Sequence, residues 1–396
     1  MKYEDINKDN LPLGFLINKG NSANSDVINK TFISHTRQMA LLQKESIGYE
    51  GDLRSNSWRL TSDEGGHLNG TDLAPFPLGF FNASIHGDIV GNIFKASKKN
   101  NISIEEIKCE VKNSYYLTGS FVKGDGKGHA QPTEINLEIK SSEDKVKIEE
   151  LIKNASKNSP VLTALRTPLK NTFSLIANGR RKKLNNLNES KKNDAEDPFH
   201  FYKHQPSPNK NEIYSDKIIV KTGKVSDGQI ETVDGYNVSV SSGDVPGNKN
   251  FNKIIRTIVG NSITKSIDEM VEVDTVLGLP GMSHFLISMD INGVKAPSPV
   301  NIMGAAISFC FLTQTHRYIH HQKFQIEGLR MSQYATFKKN TLGSLEMMPL
   351  DTHLFVNGTA SDKDNEKLID MSERTCYLHA TLGKSLNPKI NIKVIT

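Results

Sequence analysis

The chain has 396 residues, 36% hydrophobic and 23% charged, enough for two or three domains that each bury a core. A net charge of +5 with a pI near 8.8 is a small excess for this length, concentrated in one polar segment, and it argues against nucleic-acid binding. Three cysteines (Cys109, Cys310, Cys376) are too few for a secreted disulfide scaffold, and the opening MKYEDINKDN has neither a basic region nor an apolar run, so a reducing, cytoplasmic setting is expected.

The first 60 residues contain only short apolar runs, such as Phe15, Leu16 and Ile17. Asp63, Glu64, Gly65 and Gly66 mark a turn. LNGTDLAPFP then leads into a predicted helix over 78–98. Residues 104–121 have the Ile, Val and Tyr content of a strand, with Tyr115 and Tyr116 as sheet packing and Cys109 as a structural thiol. Gly124, Gly126 and Gly128 form a hairpin loop that lacks the phosphate-loop pattern and its following helix. Ile135, Leu137 and Ile139 alternate with polar residues, as in a half-buried strand. Residues 143–158 read as a helix with Ile148, Leu151, Ile152 and Ala155 on one side. From 179 to 212 the chain is polar, charged and almost free of aliphatics, which predicts a solvated linker rather than a basic docking arm.

Beyond 213, strands are predicted at 218–220 and 232–240, the second by way of the turn at Asp234 and Gly235. A helix is predicted over 251–270, a strand over 285–289 and a turn at Asn292 and Gly293. The longest apolar element is 297–321, PSPVNIMGAAISFCFLTQTHRYIHH. Ser298 is its N-cap and Pro299 its first helical residue. A helix apolar on nearly all sides belongs inside a protein, and its uncharged stretch falls short of the roughly 20 residues of a membrane span. Strands follow at 325–338 and 345–356, then a helix over 362–378 and a final strand over 390–395. His316 and His320 lie four apart, a zinc-compatible spacing, followed by His321. No carboxylate is obviously paired with them, and they read as solvated cations at a helix C-terminus, with no metal expected.

The two halves match each other. With a shift of 222 positions Pro75 and Pro77 fall on Pro297 and Pro299, Ala83 on Ala305, Ile85 on Ile307, and Lys95 on Arg317, without a gap from Pro75 to Lys108. With a shift of 217, Ser159 falls on Cys376 and Leu165 on Leu382. A period this long indicates a duplicated domain, and two such copies can pack as a pseudo-symmetric pair. The expected division is 1–178, a linker over 179–212, and 213–396. Cys310 aligns with Asp88 and Cys376 with Ser159, so the second half carries both thiols and the first is a degenerate copy. Asp88 reads as a polar residue at a relaxed site, the alternative being a buried carboxylate with a raised pKa.

These features resemble the OsmC/Ohr family of thiol-dependent hydroperoxide reductases. The resemblance rests on Pro297-Ser-Pro299 leading through small residues to Cys310, on the second cysteine in Cys376-Tyr-Leu-His-Ala-Thr-Leu, and on Ser62-Asp-Glu64, Gly70-Thr-Asp72 and Ala74-Pro-Phe-Pro77 in the first half. It covers most of 60–175 and 285–396. It implies an α+β fold with two central helices and antiparallel sheets, here closed as an intramolecular pseudo-dimer. It also implies a peroxidatic Cys310, a resolving Cys376, a hydroperoxide substrate, an external dithiol reductant, no bound cofactor and no membrane. The family activates its thiol with an arginine held by a glutamate. That glutamate would be Val300 or Asn301 here, so it is missing. Candidates for the arginine are Arg317, Arg374 and Arg59, with Arg37 beside them. Two other functions compete: a non-enzymatic protein binding an apolar ligand between the halves, and a metal protein using His316, His320 and Cys310.

Overall fold

Two helices apolar on almost every side organise the molecule. A computed structural model describes residues 3–20, 28–52, 55–204, 218–233, 254–268, 270–341 and 343–395. The first half contains β1 (Gly14–Asn18), β2 (Lys30–Gln38), β3 (Lys44–Glu50), β4 (Ser57–Ser62), α1 (Pro77–Asn100), β5 (Glu106–Thr118), β6 (Lys127–Ala130), β7 (Glu134–Lys140), α2 (Lys145–Lys157), α3 (Pro160–Arg166), β8 (Thr172–Ala177), β9 (Arg180–Lys182) and α4 (Pro198–His204). The second contains β10 (Ile219–Val225), β11 (Glu231–Thr232), β12 (Ile254–Lys265), β13 (Val271–Leu277), β14 (Ser283–Met289), α5 (Pro299–Gln322), β15 (Ile326–Lys339), β16 (Leu345–Met347), β17 (Asp351–Gly358), α6 (Asp362–Thr375), α7 (Tyr377–Leu382) and β18 (Lys389–Ile395).

Helices α1 and α5 each begin on a proline, and Ser298 accepts the amide of Asn301 at the start of α5. Each ends in a left-handed cap, Asn101 and Lys323. They pack on each other, with the rings of Phe80 and Phe309 5.4 Å apart.

Neither half makes a sheet alone. The first sheet runs β1-β4-β3-β2-β15-β17-β8-β9, with β16 beside β15. The second runs β10-β14-β13-β12-β5-β7-β18, with β11 on β12 and β6 on β5. Each therefore starts as the leading meander of one half and continues into strands of the other. The seams are antiparallel: Lys30 pairs with Phe337 and Arg37 with Arg330 across β2 and β15, and Arg256 with Tyr115 across β12 and β5. Helix α5 lies on β2 and β3 of the opposite half, and α1 on β12 and β13. The family resemblance implies antiparallel sheets, and each sheet instead contains one parallel pair. β17 pairs with β8, and β7 with β18, in parallel. Each parallel pair joins strands of opposite halves, and the helices α2–α3 and α6–α7 carry the chain from one sheet to the other between them.

Three further expectations change. Residues 254–265 form a strand, not part of a helix over 251–270. Their Ile–Ile and Ile–Val doublets imitate a helical face, but Ile254, Arg256, Ile258, Gly260, Ser262 and Thr264 alternate inward and the strand fills the centre of its sheet. The polar stretch read as a linker is attached to the fold as far as His204. β9 extends the first sheet, and Tyr202 is buried on its outer face, donating to the carbonyls of His35 (2.7 Å) and Glu45 (3.0 Å). The helix predicted over 362–378 breaks at Cys376. The predicted strand over 232–240 and its turn lie mostly outside the described residues. No helix among the described residues is long and apolar enough to cross a membrane.

Because the sheets interlock, residues 1–204 expressed alone are expected to be insoluble or unfolded, and likewise 218–396. Co-expression of the two pieces restores a folded complex, read by circular dichroism and amide dispersion in NMR spectra.

Candidate active site

The break between α6 and α7 sets the geometry. Cys376 has φ −70° and ψ 116°, outside helical values, so the chain turns there and the thiol points into the core. Its Sγ lies 3.3 Å from Sγ of Cys310, midway along α5, and Cys376 is the donor of the contact. Both are free thiols, buried almost completely. A disulfide requires about 2.05 Å, so a small adjustment separates contact from bond. Burial pushes the Cys376 thiol well up and the adjacent Cys310 sulfur adds to this, while the amides of His379 and Leu378 oppose it. Tyr115, contributed by β5 of the first half, interacts with both sulfurs and packs on Tyr377, with ring centroids 5.6 Å apart.

The charged groups beside this pair come from the other half. Lys44 opens β3 and Glu64 follows β4, and both are buried. Lys44 Nζ is 3.8 Å from Glu64 Oε1 and donates to the Leu42 carbonyl at 2.6 Å. Thr313 Oγ1, one turn beyond Cys310 on α5, donates to Glu64 at 2.6 Å. Burial pushes the Lys44 ammonium down and the Glu64 carboxyl up, and their mutual attraction opposes both. Cys310 is near enough to interact electrostatically with Lys44.

Residues 292–392 match the model of a protein family described as OsmC-like protein. The match lies in the second half and takes in both Cys310 and Cys376. A crystal structure of an OsmC-like hydroperoxide resistance protein from Jannaschia sp. CCS1 is similar over 32% of this chain and 85% of that chain, at 18% identity and a TM-score of 0.21. No curated protein matches the chain.

The arginines proposed from sequence each have partners of their own, and only Arg317 also acts on Glu64, whose carboxyl it lowers electrostatically. Arg59 and Arg37 both bind Glu45, and their guanidinium groups lie against the Tyr202 ring. Strand alternation puts these three on the outer face of the first sheet, while Lys44 and Ser46 face α5. Arg59 thus lies across the sheet from the thiols. Arg317 is two turns, about 10 Å, along the helix from Cys310. It donates to Gln314 at 2.8 Å and sits 4.2 Å above the Phe121 ring. Arg374 donates to the Gly124 carbonyl at 2.7 Å and pairs with Asp370 at 3.7 Å. Glu64 was visible in the Ser62-Asp-Glu64 motif. Lys44 had no sequence signal, because a lysine at the start of an amphipathic strand ordinarily faces water.

Asp88 and Ser159 meet as Cys310 and Cys376 do. Ser159 Oγ donates to Asp88 Oδ2, Val161 N donates to the same oxygen at 2.9 Å, and Asn92 Nδ2 donates to Oδ1 at 2.9 Å. Burial raises the Asp88 carboxyl to about 7 against these donors, so it is a buried, tethered acid and not a residue at a relaxed site. The Lys44–Glu64 pair has no counterpart here. Lys44 opposes Ser62 just as Val271 opposes Met289, and Asp63 and Asp290 each receive loop amides at the same place in the two halves. On that register Lys44 corresponds to Val271 and Glu64 to Ile291.

Cys109 is buried in β5 away from this pair, and burial pushes its thiol well up. His316 is largely buried beside Lys44 rather than solvated, and burial first, then Lys44 and His320, lowers it to about 4. His320 is exposed. Among the described residues no group of three His, Cys, Asp or Glu side chains could hold a metal ion.

Two measurements follow. Lys44→Met strands the Glu64 charge in the core and is expected to cost about 3–5 kcal/mol, whereas Lys44→Met/Glu64→Leu recovers most of it in urea unfolding. Asp88 keeps its proton in the folded state up to about pH 7 but releases it near 3.8 when unfolded. Raising the pH through that window therefore favours unfolding, by on the order of 4 kcal/mol at most. The melting temperature of wild type should fall between pH 4 and 7, while Asp88→Asn flattens that slope.

Proposed function

We propose that this protein reduces organic hydroperoxides with a Cys310–Cys376 pair, Lys44 supplying the activating cation. One observation carries the reading: two buried free thiols in contact, 3.3 Å apart, beside a buried ammonium. The Cys310 thiolate attacks the distal oxygen of R–OOH. The O–O bond breaks, the alcohol leaves with a proton, and Cys310 becomes a sulfenic acid, two electrons having passed to the peroxide. Cys376 then attacks the sulfenic sulfur. Its proton joins the departing hydroxide as water, and a 310–376 disulfide forms. An external dithiol reduces that bond, giving its two electrons and ending as a disulfide. Lys44 is the cation beside the attacking sulfur, and Glu64, itself held by Thr313, pairs with Lys44. This pair does the work that the family assigns to arginine and glutamate, with both charges coming from the first half. No bound cofactor enters the scheme.

The same reading takes the chain as two OsmC-like copies, over 1–178 and 213–396, closed as a pseudo-dimer. The crossed sheets and the matching registers of Lys44 with Val271 and Ser62 with Met289 support it. The first copy then contributes Lys44, Glu64 and Tyr115 to a reaction for which it has no thiol. A cytoplasmic setting suits free thiols and a dithiol reductant.

Single-turnover reaction with cumene hydroperoxide tests this. Wild type should lose two thiols and form the 310–376 disulfide by mass, while Cys376→Ser stops at a sulfenic or sulfinic acid on Cys310. The folded Lys44→Met/Glu64→Leu variant should react about tenfold or more slowly. If wild-type Cys310 reacts no faster than an ordinary thiol, the peroxidase reading fails.

A further inference from the structure

The gap between α1, α2 and the β15–β16 hairpin is open, whereas its counterpart beside the thiols is filled. In the thiol half the β5–β6 connection spans 119–126 and folds over α5 and α6. Phe121 stacks under Arg317 and tilts against Tyr318, its carbonyl accepts from Gln322 (2.9 Å), and the Gly124 carbonyl accepts from Arg374 (2.7 Å). The corresponding β15–β16 connection is shorter, 340–344, and closes tightly, Asn340 N donating to Ser344 O at 2.9 Å. It brings no aromatic ring over α1. In place of the plug is a cavity of about 420 Å³ with buried Asp88 in its lining.

The cavity is chemically divided. Phe32, Ile291, Val300, Leu345 and Pro299 make apolar walls, and all of these but Phe32 belong to the second half of the chain. Exposed Lys95, Lys99 and Lys339 also line it. Lys95 and Lys99 are one helical turn apart, so they share a face of α1, and Lys339 reaches in from β15. Its acidic side chains are already engaged: Glu50 pairs with Lys30, and Asp88 holds Ser159, Val161 N and Asn92, with Arg166 nearby. Among the described lining residues the charge balance is cationic, beside a partly apolar wall. Its volume is that of a small-molecule site.

We infer that this cavity binds an organic anion with an apolar body, the body against Phe32, Ile291, Val300 and Leu345 and the anionic group at Lys95, Lys99 and Lys339. Such a site is separate from the thiol pair and needs no turnover of it. It is a second ligand site, built by both halves around Asp88.

Isothermal titration of the full chain with decanoate, and with decylamine as the chain of opposite charge, tests this. Decanoate should bind with a stoichiometry of one and decylamine should not. Lys95→Glu/Lys99→Glu, at exposed positions that leave the fold intact by circular dichroism, should weaken decanoate by roughly tenfold or more, and Lys339→Glu should do so independently. Cys310→Ser/Cys376→Ser should bind as wild type does. Equal binding of the amine, no binding of decanoate, indifference to the lysine variants, or loss of binding in the cysteine variant would each overturn the assignment. None of these readouts depends on peroxide reduction, so the two readings stand or fall separately.

Discussion

Two helices apolar on nearly every side must be covered all round, and neither half of this chain has enough sheet to do it. Each leading meander covers the helix of the other half, and the sheets are completed by strands that cross over. The hydrophobic effect makes that covering obligatory, and hydrogen bonding along the β2–β15 and β12–β5 seams makes it specific. A one-residue slip at either seam would turn every inward side chain outward. The position of Lys44 relative to Cys310 is therefore fixed by the whole sheet rather than by a local motif.

That constraint also bears on the different chemistry at corresponding positions of the two sheets. Corresponding positions carry Cys310 or Asp88, Cys376 or Ser159, Lys44 or Val271, Glu64 or Ile291, and Thr313 or Gly91. The groups change together because they share a buried environment. A buried ammonium needs its carboxylate, and the carboxylate needs Thr313. Where the carboxylate is replaced by Ile291, the facing helix position is Gly91, whose missing side chain leaves room for it: a Cβ there would lie 2.9 Å from Ile291. Asp88, without a cation of the Lys44 kind, is stabilised instead by three donors from Ser159, Val161 and Asn92. One side became a paired, closed thiol site and the other a tethered acid beside an open cavity.

The outer face of the first sheet shows the same logic applied to stability. Arg37, Glu45 and Arg59 form an ion cluster covered by Tyr202, whose segment lacks aliphatics and still packs because its aromatics stack on guanidinium and imidazole groups. Composition predicted a solvated tether there. It undervalues residues such as Tyr202 and Phe201, which bury large rings while satisfying polar neighbours.

Periodicity and capping residues were enough to place α1, α5, α2, α6 and, among the second-half strands, β10, β14, β15 and β18, because those features are local: a proline and serine before a small-residue run, an alternating strand, a helix with one apolar side. The internal match of Asp88 with Cys310 and of Ser159 with Cys376 was equally legible, since it needs only order and spacing. The 254–265 strand was not, because its doublets satisfy both periods and only its partners on either side choose between them. Nor was the cation beside Cys310. Arginine was the natural candidate on chemical type, but strand parity sends Arg59 and Arg37 to the far face and Lys44 to the near one. Parity has no meaning until the sheet has a covered side, and here the covering helix belongs to the other half of the chain.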